Sequence, residues 1–363
     1  MRIIPLEIIR NLQVRFRQSS NRRKRFVFAI AAFVVSLLLS LLVAEFELRL
    51  LGYERLTVRT WQGKVEPGGK YWATDPVLGY RNIPGEFTIW FPDDHRWRMT
   101  HLPNGNRVTR RSEAYHEPVN NENQKESIWI FGCSYIHGWC VNDEETLPWL
   151  LQERLPDYNI ENLAVCGDGT LQFLLRLREA LKSTTKIPKV VVLAHASFHD
   201  ERNTLEWQYR KAAYEYAAIG ERNKPFARLG RDGTLKIEYD TGAGWIFNLM
   251  KISAVANLLA EKLNSSYDRF YLQSERVSDA LIAMFSEECV SRDIMFVLAG
   301  ISNDLRTNQV LWSRSDNMPT VDISVDLQRP GFFVPRDGHP NVRANSVSTA
   351  KLVEFLKSRV LDD

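Results

Sequence analysis

Four short clusters carry the residue types of group-transfer chemistry, and three of them directly follow an apolar run. Gly132-Cys133-Ser134-Tyr135 follows Ser127 to Phe131 (SIWIF), and Cys166-Gly167-Asp168-Gly169 follows Tyr158 to Val165. His195-Ala196-Ser197-Phe198-His199-Asp200 follows Lys189 to Ala194 (KVVVLA), and Arg336-Asp337-Gly338-His339-Pro340 precedes the last helical stretch. Serine, histidine and aspartate together are the ingredients of nucleophilic catalysis, because a hydroxyl attacks well only when a base takes its proton. His195 and His199 offer a second reading: four residues apart, they would share a helix face and bind a metal with Asp200, Asp337 or His339. Against it, the run before His195 reads as a strand, and no general-base glutamate follows the first histidine.

The elements between the clusters alternate. Glu144 to Leu155, Leu171 to Leu181, Ser274 to Cys289 and Ala344 to Val360 have helical spacing, while Ile294 to Ala299 (IMFVLA) and Val321 to Val325 read as two further strands. Strands that are apolar throughout and alternate with helices predict a three-layer α/β/α domain around a mostly parallel sheet. In such sheets sites form beyond the carboxyl ends of the strands, which is where the clusters stand. The interval 201–290 is long for a crossover; it predicts helices over Leu205 to Ala218 and Ile246 to Leu263, with a hairpin at Gly230-Arg231-Asp232-Gly233, as an insertion or lid. Residues 46–125 are rich in Pro, Gly and aromatics, with a short strand at Glu86 to Phe91. Trp61, Tyr71, Trp72, Trp90, Phe91 and Trp97 fall there, available either for packing onto the main domain or for stacking on sugar rings.

In their order the clusters resemble the conserved blocks of the SGNH (GDSL-like) hydrolase superfamily. FGCSYIHGWCVNDEETLPWLLQERLP, from Phe131, looks like the first block and its helix; NLAVCGDGTLQ, from Asn162, is similar to the second; DGHPN, from Asp337, resembles the last. The likeness covers residues 126 to 358, interrupted by the insertion. It implies an SGNH/flavodoxin-like fold with Ser134 as nucleophile, His339 as general base and Asp337 as the group that orients the imidazole. It implies an oxyanion hole from the N–H groups of Ser134 and Gly167, with His199 in the position of the family's asparagine. The first block reads Gly-Cys-Ser rather than Gly-Asp-Ser, and the third lacks Gly-x-Asn-Asp, keeping only Asp200 after His199. No cofactor or metal is implied.

The net charge of +3 conceals an asymmetry. The first 26 residues hold eight Lys/Arg against Glu7 alone, so the arm carries +7 and the remainder −4, which argues against a nucleic-acid-binding body. Phe26 to Ala44 follows at once, with only Ser36 and Ser40 polar, and would cover roughly 28 Å as a helix. This run is longer than the apolar core of a signal peptide, and Val43-Ala44-Glu45-Phe46 is a poor cleavage site. The expected organisation is a basic cytoplasmic arm (1–25), a transmembrane signal anchor in the bilayer (26–45), an extracytoplasmic extension (46–125) and a hydrolase domain (126–363). Cys133, Cys140, Cys166 and Cys289 would then sit where disulfides persist, but their spacing selects no pairing.

Together these readings predict a membrane-anchored, serine-dependent ester hydrolase or O-acyltransferase. Its expected substrates are acylated, chiefly acetylated, envelope or extracellular polysaccharides, and envelope polysaccharide machinery is its expected partner. The alternatives are a non-catalytic glycan-binding or assembly protein with a degenerate site, and a metal-dependent hydrolase using His195 and His199.

Overall fold

The computed structural model describes residues 6–57, 63–92, 95–111, 125–215, 224–240 and 244–361. A long helix, α1 (Leu6–Leu50), precedes five short strands: β1 (Lys64–Glu66), β2 (Trp72–Asp75), β3 (Gly79–Asn82), β4 (Gly85–Trp90) and β5 (Arg96–His101). Then come β6 (Ser127–Phe131), α2 (Ser134–His137), α3 (Leu147–Arg154), β7 (Asn159–Asn162), α4 (Thr170–Ser183) and β8 (Val190–His195). The long interval holds α5 (His199–Thr204), α6 (Trp207–Glu215), β9 (Pro225–Leu229), β10 (Leu235–Tyr239), α7 (Gly244–Met250) and α8 (Ala254–Tyr267). The chain ends with α9 (Ser274–Val290), β11 (Met295–Gly300), α10 (Leu305–Trp312), β12 (Thr320–Asp322) and α11 (Val342–Leu356). It divides into two compact units, residues 1–58 with 243–263, and residues 59–242 with 264–363.

In the first unit, Arg23–Leu50 of α1 is long and apolar enough to cross a membrane, and its side chains from Phe26 to Val43 stand largely exposed. A backbone in hydrocarbon has no water to bond to, so a continuous helix is the form such a segment must take.

The second unit is built on five parallel strands in the order β12-β11-β8-β6-β7. Counted along the chain this is the order 2-1-3-4-5, the doubly wound arrangement that the alternation predicted. β6 and β8 are buried along their whole length, which is why they read as unbroken apolar runs rather than alternating ones. The chain leaves β6 to one side for β7, then returns across it to β8. With right-handed crossovers, that reversal sends the connecting helices to opposite faces. α3 packs with α11, and α4 and α5 pack with α9.

Observed elements depart from the predicted ones where local chemistry intervenes. Pro148 and the Thr146 cap start α3 late, after a 3-10 turn at Asp143–Glu145, so the helix expected from Glu144 splits. The helix expected over Leu205 to Ala218 begins only at Trp207, as α6, because Leu205 takes a left-handed conformation (φ 54°) and ends the separate helix α5; residues 216–218 lie outside the described residues. The helix expected from Ile246 is likewise broken, into α7 and α8. The hairpin around Gly230–Gly233 forms as expected, between β9 and β10. No disulfide joins the four cysteines, which are all buried thiols.

Within residues 63–111, β1, β4 and β5 form an antiparallel sheet, and β2 pairs with β3. Tyr71, Trp72 and Trp97 are buried in a cluster with Trp139, Cys166 and Val334, so these aromatics pack onto the main domain. Trp90 and Phe91 are half-buried, and Trp61 lies outside the described residues. Arg107 completes the join. Its backbone bridges His101 on one side and Asn162, in β7, on the other. Its side chain is fully buried and uses all five N–H donors: one to Asp143 (2.8 Å) and the rest to the carbonyls of Arg98, His137, Gly138 and Val141. Arg107→Ala would take this donor from four carbonyls and leave the buried Asp143 carboxylate with the Thr100 N–H (3.0 Å) and the more distant Arg98 (3.8 Å). We expect a loss of roughly 3–5 kcal/mol, read as a melting point on the order of 10 °C lower. An unchanged melting point would show that the bridge is not structural.

Candidate active site

Ser134 opens the single-turn helix α2 directly beyond the carboxyl end of β6, the strand at which the order of the connections reverses. The glycine before it is required by packing, since a Cβ on Gly132 would lie 2.5 Å from Ile136 and 3.2 Å from Ala194. Gly138, at φ 92°, ends the turn in a conformation that disfavours side chains. Ser134 is thereby presented at the cleft although only 7% of it is exposed.

The loop before α11 meets it. His339 Nε2 lies 2.8 Å from Ser134 Oγ, and Nδ1 of the same ring contacts Asp337 Oδ1. The imidazole is thus set to donate from Nδ1 to the carboxylate and to accept the serine proton at Nε2. The loop is closed by Val334, whose N–H donates to the His339 carbonyl (2.8 Å), and by a bridge between Phe333 and Pro340. Gly338 turns it at φ 86°. Asn341 caps α11, accepting from the N–H groups of Arg343 and Ala344, so His339 is released from that duty. Burial pushes the Asp337 carboxyl up, but its bond to His339, the charge of that ring and the Cys140 thiol together hold it below the usual aspartate range. The Tyr135 ring meets His339 edge-on at 5.4 Å, and burial pushes its hydroxyl up to about 12, so it stays neutral.

Gly167 reaches the same cleft on the loop after β7, at φ 79°. The Tyr80 hydroxyl donates to the Cys166 carbonyl at 2.8 Å, and Tyr209 and Lys224 donate to the Gly167 carbonyl. Holding the Cys166 carbonyl fixes the plane of the trans peptide whose N–H belongs to Gly167, and points that N–H the opposite way. The cleft is about 290 Å³ and is lined by Tyr71, Trp72, Trp139, Tyr209 and Arg202 together with Ser134, Gly167 and His339.

His199, expected beside the oxyanion, is not among the residues lining the cleft. As the first residue of α5 it turns into the core, packed edge-on against Phe173, Phe198 and His195. Its Nδ1 accepts the Ala196 N–H (3.2 Å), and Nε2 has no hydrogen-bond partner among the described residues. Arg202, one turn further along α5, takes the place at the cleft, with its guanidinium 4.5 Å from the Phe198 ring centre and donating to the Asp168 carbonyl. Asp200 pairs with Arg306 (3.0 Å). His195 ends β8 rather than starting a helix, so the two imidazoles do not share a helix face. Among the described residues the three-ligand grouping is Cys140, Asp337 and His339, which includes neither His195 nor His199 and overlaps the serine array.

Fold and site together define an α/β domain with a serine–histidine–aspartate array at the carboxyl edge of a parallel sheet. Solved structures similar to this chain include TesA (14% identity, TM-score 0.40, covering 64% of this chain and 99% of that one). A G-D-S-L-family lipolytic protein from Desulfitobacterium hafniense is also similar (10%, TM-score 0.37, covering 64% and 100%). So is the psychrotrophic esterase EstA from Pseudoalteromonas (14%, TM-score 0.38, covering 64% and 98%). No protein-family model matches the chain, and no curated protein matches it in sequence.

Proposed function

We propose that this chain is a serine-dependent acyl-ester hydrolase or O-acyltransferase working through an acyl-enzyme on Ser134. The observation that supports it is the continuous contact from Ser134 Oγ through the His339 ring to Asp337. Ser134 Oγ attacks the ester carbonyl carbon while its proton passes to His339 Nε2, and the ionised Asp337 stabilises the imidazolium. The Ser134 and Gly167 N–H groups stabilise the oxyanion; one such donor is typically worth about 3–4 kcal/mol in the transition state. The leaving alcohol departs with the proton from His339. Water, or a sugar hydroxyl, then gives up a proton to His339 and attacks the acyl carbon, and as the ester bond to Ser134 breaks His339 returns that proton to Ser134 Oγ.

The aromatic lining of the cleft suits an acyl chain and a sugar ring, and acetylated envelope or extracellular polysaccharide is the substrate class that fits an anchored, exported domain. The basic arm before the apolar helix supports export of the domain.

The full-length chain in detergent micelles is expected to release acetate from 4-nitrophenyl acetate, with turnover unchanged by EDTA. Turnover lost to EDTA and restored by zinc would favour a metal at Cys140, Asp337 and His339 instead. Glycan binding without turnover on any ester would favour the non-catalytic alternative.

A further inference from the structure

We infer that residues 244–263 form a second membrane contact, an amphipathic helical pair lying in the headgroup boundary beside the transmembrane helix. The inference rests on reading α1 as a membrane span and is independent of the active-site chemistry.

Its basis is a clamp at the end of the apolar run. Glu45, the first charged residue after Phe26 to Ala44, accepts hydrogen bonds from the Ser253 hydroxyl (2.8 Å) and from the N–H groups of Ala254 and Val255 (3.0 Å each). It thus satisfies the open N-terminal turn of α8. Arg49 donates to Glu45 (2.7 Å) and to the Ile252 carbonyl (3.2 Å). Leu56 N–H donates to the Met250 carbonyl (2.8 Å), and the Asn257 amide to the Glu54 carbonyl (2.9 Å). The junction of α7 and α8 is therefore fixed at the level of Glu45, where the hydrocarbon-length part of α1 ends.

At that level the pair leaves Trp245, Leu249, Ile252, Leu259 and Leu263 between 45% and 69% exposed. Phe46 and Leu50 of α1 stand exposed beside the same clamp. Five large apolar side chains on about twenty residues would be costly in water. An element with an apolar face and a tryptophan, held where the bilayer meets water, has the composition of an interfacial helix. The occupant of this face is thus the bilayer that α1 crosses, since the apolar surface is continuous with the span. The consequence is a two-point attachment that fixes the rotation of α1.

The test places an environment-sensitive nitrobenzoxadiazole label on Leu249→Cys, Ile252→Cys or Leu259→Cys in the full-length protein, reconstituted in phosphatidylcholine vesicles. The native thiols are buried, so unsubstituted protein is the labelling blank. Leu38→Cys reports the span, and Lys236→Cys, exposed on β10, is the reference position. The expected result is blue-shifted emission at all three helical-pair positions, quenched more by shallow than by deep lipid-borne nitroxides, with Leu38→Cys quenched best by the deep one. Emission at the three positions like that of Lys236→Cys would overturn the inference while leaving the span intact. So would a blue shift that lipid quenchers do not touch and that fades on dilution, which would mean a second copy covers the face. Unquenched Leu38→Cys would overturn both the span and the inference.

Discussion

Replacing Ser134 with alanine is expected to lower kcat for a small acetyl ester by roughly four to six orders of magnitude and to leave KM nearly unchanged. The side chain is small and sits at the start of α2, where it bonds to His339 and supports no packing of its own, so the variant should fold. His339→Ala should cost about as much, and the double variant little more, because neither group acts without the other. Asp337→Asn should cost less than Ser134→Ala, since the amide can hold the ring but favours the wrong tautomer. Steady-state kinetics on the four proteins decides the matter. Costs that add independently would mean that the three residues do not act as one unit.

The second large effect is on stability in mild acid. Among the described residues, four histidines are buried with their pKa held down: His101 and His195 to about 3, and His137 and His199 well below the usual value. Burial is the first cause in each case. It is reinforced by Arg107 at His101 and His137, by Arg306 at His195 and by Arg202 at His199. In the unfolded chain these rings gain protons below pH about 6.5, while in the fold they stay neutral. The unfolded state therefore binds more protons, and stability is full above that value and falls as pH falls. Each ring contributes about 1.4 kcal/mol per pH unit, up to about 5 kcal/mol per unit for four. The buried carboxyls of Asp200, pushed to about 6, and of Asp168, Glu161 and Glu201, also raised by burial, work in the opposite direction as pH falls, so the histidine effect is cleanest at the upper end of the range from about pH 7 to 5.5. Urea midpoints across that range should drop steeply. A flat profile would mean that the histidines are not buried neutral in solution.

The legible part of this protein was the part governed by period and by order. Runs such as KVVVLA announce a strand buried on both faces, and their succession gives the parallel sheet. Ser134, Asp337 and His339 could be found because each stands at a strand end or helix start, and the structure brings these three together. His199 shows the limit of that reasoning. Its position in the third cluster matched an asparagine, but the way α5 begins turns its ring into the core, and Arg202 faces the cleft instead. Arg202, Tyr209 and Lys224 lie in the insertion, where no repeating pattern marks a side chain as pointing inward or toward a cleft. Arg107 was likewise invisible: a lone arginine in a loop-rich stretch gives no sign that five acceptors from distant segments converge on it.

In the proposed mechanism the Ser134 hydroxyl is the activated nucleophile. Treating the full-length protein with a fluorophosphonate and mapping the adduct by mass spectrometry tests it most directly, because the reagent forms a stable bond to a serine only where a base removes its proton. One adduct is expected, on the peptide containing Ser134, absent in Ser134→Ala and strongly reduced in His339→Ala. An adduct on a different residue, or none on Ser134 in the folded protein, would contradict it.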